Sequence, residues 1–123
     1  MRDTQSAVTV EDIQIQIDDA REMVRGADAL ERLFENADFN LVVKQGYFQE
    51  EPARLVEMKA TPAMSSEANQ AAIIKQIDGI GALQQYFTAR FLTGDMARDA
   101  IRDGEMAIDE MDVPSLFDRK GAH

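Results

Sequence analysis

Apolar residues recur at three- and four-residue steps from Ile13 through Ile17, Ala20, Val24, Ala27, Leu30 and Phe34. That spacing lays one apolar stripe along a helix of about seven turns. Thr9, with Asp12 three residues later, resembles a capping box in which Asp replaces Glu, so the helix is predicted to begin there. Ile15 falls off the stripe and is either an exposed residue or one that widens the apolar face toward a partner. Gly26 costs this helix about 1 kcal/mol relative to Ala, and is either tolerated or admits a close helix crossing.

Asn36-Ala37-Asp38 is predicted to break this helix, with Asp38 capping a short second one over Phe39 to Gln45. Val42-Val43 alone also fits a strand, but Gly46 follows as a C′ residue and favours the helix. Tyr47-Phe48 is the densest aromatic pair of this half. Pro52 then sits near the first turn of a third helix that carries Leu55, Val56 and Met58 and ends at Thr61-Pro62.

A last long helix is predicted from Ser65 or Ser66. Its stripe is Ile73, Ile77, Ile80, Leu83 or Gln84, Phe87 and Phe91, flanked by Ile74 and Tyr86. Gly79 and Gly81 either let another backbone approach or merely weaken the helix, and Gly94 kinks or ends it. Beyond Gly94, Met96, Ala97, Ala100, Ile101, Ile108 and Met111 keep a looser helical rhythm among many acids. Val113-Pro114 is predicted to stop the helix. In the tail, Leu116 and Phe117 either fold back onto the core or insert into a partner as a short linear peptide.

The fold class that follows is all-α: a long antiparallel helical hairpin with two short helices inserted between the long ones. The chain divides on this reading into an N-terminal arm (1–8), a helical core (9–93), an acidic helical extension (94–112) and a C-terminal tail (113–123).

Composition changes the picture mainly through charge. The 123 residues hold 13 basic and 23 acidic side chains, a formal net charge of −10, with the excess spread along the chain. Such a surface repels phosphates and anionic membranes, so neither nucleic acid nor membrane is expected as a partner. No apolar signal core or membrane-length apolar run is present, and a cytosolic protein is expected.

Candidate chemistry is sparse. Cysteine is absent and the single histidine, His123, is the last residue, where a general base is poorly held. Gly79-Ile80-Gly81 lies inside a helical pattern and does not follow a strand, which argues against a phosphate loop. Asp18, Asp19 and Glu22, and likewise Asp99 and Asp103, share single helical turns but lack a Ca²⁺-loop pattern or a Glu-x-x-His motif. The expectation is therefore no catalytic, cofactor-binding or metal-binding residue and no small-molecule substrate. The candidate partner-binding residues are Ile15, Tyr47, Phe48, Ile74, Leu116 and Phe117.

A resemblance adds a setting. Asp38-Phe39, Gly46-Tyr47-Phe48 and Glu51-Pro52-Ala53-Arg54-Leu55-Val56 are followed by Thr61-Pro62-Ala63-Met64 and then by Ile77-Asp78-Gly79-Ile80-Gly81-Ala82-Leu83-Gln84-Gln85-Tyr86-Phe87. This run resembles a family of small acidic helical proteins of tailed bacteriophages, with Pro52 where that pattern has Ala or another helix former. The resemblance covers less than half of the chain and carries no catalytic motif. It implies a virion structural or assembly protein that contacts capsid, portal or tail subunits, or further copies of itself, in the virion or in the host cytoplasm during assembly. The alternative is a small acidic phage inhibitor or adaptor that binds a host protein.

Overall fold

The computed structural model describes residues 8–122, with side chains for residues 8–111. It is all-α, with no strand among the described residues. Helix α1 spans Val10–Phe34, α2 Ala37–Phe39, a π-helix Asn40–Glu50, α3 Glu51–Ala60, a 3₁₀ turn Pro62–Met64, and α4 Glu67–Ala122.

The start of α1 is the expected capping box. The Asp12 amide donates to Thr9 Oγ1 at 3.0 Å, and the Thr9 amide donates to Asp12 Oδ2 at 3.2 Å. The side chain of Asn36, not Asp38, caps the next helix: Asn36 is extended at φ −78°, ψ 126°, and its Oδ1 accepts the Phe39 amide at 2.9 Å. Asp38 falls in the first turn, where an acid still favours the positive helix end.

Two separate short helices do not form. Phe39 and Glu51 both keep right-handed helical dihedrals, so the chain stays helical from Ala37 to Ala60. Gly46 lies inside the π segment without positive φ and so does not act as a C′ residue. Its role is steric: a Cβ there would stand 3.3 Å from the Leu41 carbonyl oxygen. Thr61 ends α3 in an extended conformation, as the residue before Pro62 should.

Ser66 starts α4, its Oγ accepting the Asn69 amide at 3.1 Å. This helix of 56 residues passes through both Gly94 and Pro114. The predicted stop at Pro114 is thus corrected: proline's fixed φ lies in the helical range, so a helix can continue through it at the loss of one amide bond. The side chains of Leu116 and Phe117, and His123 altogether, lie outside the described residues.

Contacts group the described residues into two compact units, one joining those up to Ala27 with those from Leu92 to Ala122, the other spanning Asp28–Phe91. In the first unit, Ile13, Ile17, Ala20, Ala27 and Ala97 are buried. Gly94 faces Ala27, and Gly104 faces Ile17 and Ile13, so the two helices run antiparallel. A Cβ on Gly94 would come within 2.3 Å of the Ala27 Cβ, and one on Gly104 within 2.9 Å of Ile17 Cγ1. The close crossing therefore uses Gly94 against Ala27, one residue beyond Gly26. Residues 94–112, expected as an acidic extension, supply the α4 side of this seam.

In the second unit, Leu55, Ile73 and Ile80 form a buried cluster with Phe48, Met58, Met64 and Ile77 packed against it. Phe34, Phe39, Phe87 and Phe91 make a second, aromatic layer, with Phe34 edge-on to Phe87 at 5.4 Å and to Phe91 at 5.2 Å. The Lys44 ammonium stands 5.0 Å over the Phe34 ring, a cation–π contact that holds the π-helix to this layer. The Gln70 side-chain amide donates to the Lys59 and Met64 carbonyls, both at 2.9 Å, and so ties the turn after α3 to the start of α4. Gly79 and Gly81 have open space where a Cβ would stand, so no backbone of this chain approaches them.

Candidate functional site

Residues four apart on a helix stack into a ridge. Two such ridges flank the seam of the first unit: Ile15, Asp19 and Met23 on α1, and Leu92, Met96 and Ala100 on α4. Between them lies an open groove of about 470 Å³, lined by Gln16, Asp19, Ala20, Met23, Thr93, Met96, Ala97 and Ala100. Its floor is the small-residue seam, because Ala20 and Ala97 leave a trough that larger residues would fill. Its exposed apolar lining is Met23, 44 % exposed, and Met96, 63 %; Ile15 and Leu92 are exposed one step before Asp19 and Met96 on the same ridges and do not line it. Single exposed apolar residues are ordinary, but a pair of them lining one groove marks a contact surface.

The charges of this unit are arranged asymmetrically. Arg21 pairs with Asp18 and reaches Glu105 at 3.3 Å, Arg25 pairs with Glu22, Arg98 with Asp95, and Arg102 with Asp99 and Asp103. Arg21 and Arg25 stand two residues on either side of Met23, and Arg98 two residues from both Met96 and Ala100. Two residues are about 200° around a helix, so these arginines turn away from the groove. Asp19, on the groove wall, has no ion pair among the described residues.

A second opening, about 420 Å³, lies in the other unit beside the aromatic layer, lined by Phe34, Phe48, Gln84, Phe87, Thr88 and Phe91. Nearby, the Asn40 side-chain oxygen in the π-helix is buried without a hydrogen-bond partner. Among the described residues no group of three or more carboxylates or histidines could hold a metal ion, and no helix is long and apolar enough to cross a membrane.

The sequence-predicted partner residues are not brought together. Ile15 is exposed in the first unit but does not line the groove. In the second unit, Tyr47 is exposed at the edge of the aromatic layer, Phe48 packs into it 5.9 Å from Phe87, and Ile74 is exposed beside buried Ile73. Leu116 and Phe117 are placed only by their backbone within α4. Sequence reasoning missed Met23 and Met96. Their signal was the four-residue step of each ridge, which the stronger three-and-four rhythm of the seam overlies.

No known protein family, curated protein or solved structure matches this chain.

Proposed function

We propose that this chain is a non-enzymatic protein-binding component whose groove in the first unit receives a helix of another protein. The observation that carries the reading is exposed Met23 and Met96 on the two sides of an open, mostly apolar trough floored by Ala20 and Ala97. Helix-in-groove recognition uses this geometry, with anchors at helical spacing entering between two parallel walls. Methionine suits such a wall, because its flexible thioether adapts to the shape of an incoming side chain. The resemblance to small acidic phage proteins supports a tailed-bacteriophage setting and a virion structural or assembly role at capsid, portal or tail subunits. Asp19 on the groove and the net charge of −10 favour a second reading, an inhibitor or adaptor that captures a basic host protein.

A photo-crosslinking amino acid at Met96, in the full chain during phage infection, separates these readings. Crosslinks to an identified particle protein, with the chain present in purified virions, are expected for the first. Crosslinks to an identified host protein, with the chain absent from virions, support the second. A chain that yields no crosslinks from Met96 in either fraction overturns the groove as the binding site.

A further inference from the structure

We infer that the occupant of the groove is a cationic amphipathic helix, an identity that rests on the protein-binding reading above and extends it. The argument is charge complementarity. Asp19 stands in the middle of the α1 wall without an ion pair among the described residues. Asp12 lies one turn before Gln16, and Asp103 one turn beyond Ala100. Ile13 of α1 faces Gly104 of α4, so Asp12 and Asp103 flank the same end of the groove. Met23 and Met96 line its apolar walls toward the other end. Each arginine with a described side chain in this unit is paired to an acid and turned away from the trough. Asp103 is held by Arg102 and the Asp12 carboxylate by the Thr9 amide, so the groove offers apolar walls with one unpaired acid, Asp19, and no competing cation on its lining. A helix with an apolar stripe and flanking Lys or Arg satisfies both features: its stripe covers the methionines and a flanking cation reaches Asp19.

A second copy of this chain is the poorer occupant. A two-fold contact through the middle of this face would set the unpaired Asp19 of each copy toward that of the other, between chains that each carry a net charge of −10. Like charges brought together across an interface oppose association, and no Lys or Arg lines the groove to relieve them.

The test uses the full-length protein and three labelled peptides of about 18 residues, roughly five helical turns. They share one Leu stripe at helical spacing and carry Lys, Gln or Glu at all other positions. Fluorescence anisotropy reads binding, and circular dichroism confirms that each protein variant is folded. The Lys peptide is expected to bind with one-to-one saturation and roughly tenfold more tightly than the Gln peptide. The double variant Met23→Gln/Met96→Gln, which leaves the net charge unchanged, should weaken the Lys peptide by roughly tenfold, and Asp19→Lys should weaken it while sparing the Gln peptide.

Equal binding of the Gln and Lys peptides overturns the cationic requirement and leaves the helix-binding reading standing. Lys-peptide binding that ignores the methionine variant is diffuse attraction to an acidic protein and overturns the inference. A dimer seen by light scattering that Met23→Gln/Met96→Gln dissolves makes a second copy the occupant, and also overturns it. If no peptide binds, the inference fails, whereas crosslinks from Met96 to an identified protein would still uphold the earlier reading.

Discussion

Two glycines of α4 carry opposite consequences for the same substitution. Gly79 has open space where a Cβ would stand and ordinary helical backbone, so Gly79→Ala should stabilise the protein by about 1 kcal/mol through helix propensity. Gly94→Ala gains the same propensity but drives a Cβ to 2.3 Å from that of Ala27, and overpacking of this kind costs about 1–3 kcal/mol. Urea denaturation should therefore move the two midpoints in opposite directions, and a shared direction would contradict the close crossing. A titration makes a second residue-scale prediction. The Glu51 carboxylate accepts two hydrogen bonds from the Arg54 guanidinium, one from Nε at 3.0 Å, and this pairing holds its pKa below the ordinary glutamate value. A lowered folded-state pKa means that the pair supports folding above the ordinary carboxylate range and loses that support as pH falls through the lowered value. NMR titration should give Glu51 a midpoint below a free glutamate, returning to the ordinary value in Arg54→Met. The capping box of Thr9 and Asp12 was legible in the sequence because both partners lie within one turn. The part played by Gly94 was not, because it depends on Ala27, which chain order separates from it widely.

At the scale of elements, the region from Ala37 to Ala60 departs most from expectation. Gly46 reads in sequence as a helix stop, yet no chain reversal occurs there, and the backbone passes through a π-helix into α3. Local pattern cannot separate the two outcomes. The choice between α and π hydrogen bonding depends on where Phe48 and Leu55 must point to reach the core and the aromatic layer. Leu55 is the anchor of that core, fully buried among Ile73, Ile80 and their neighbours. Leu55→Ala should cost about 2–5 kcal/mol in chemical denaturation, while Val56→Ala, on the exposed side of the same helix, should change stability by less than about 1 kcal/mol. Gln70→Leu should cost about 1 kcal/mol, because the Lys59 and Met64 carbonyls lose the amide that joins them. A large loss at Val56 and none at Leu55 would mean that α3 packs by its other face.

The whole molecule carries a net charge of −10, and the ion pairs described for its first unit lie on the surface. Exposed pairs contribute about 0–1 kcal/mol each, so screening costs them little, while it relieves the repulsion among the surplus acids. Raising NaCl from low salt to about 0.15 M, where the screening length falls to about 8 Å, should therefore raise the thermal midpoint. A fall would show that the pairs outweigh the repulsion.

By itself the sequence determined the all-α class, the stripe from Ile13 to Phe34, the cap at Thr9, a cap at Ser65 or Ser66, and the end of α3 before Pro62. Each of these follows from helical periodicity or from partners a turn apart. Only the tertiary structure decided which small residues meet, that α4 continues through Gly94, and that Met23 and Met96 border one groove. The reason is that a groove belongs to two helices at once. Its walls are set by the rotation of each helix about the seam, and that rotation is fixed when Gly94 and Gly104 close on Ala27 and Ile17. A stripe on one helix records which face is buried, but not what the neighbouring helix leaves uncovered beside it.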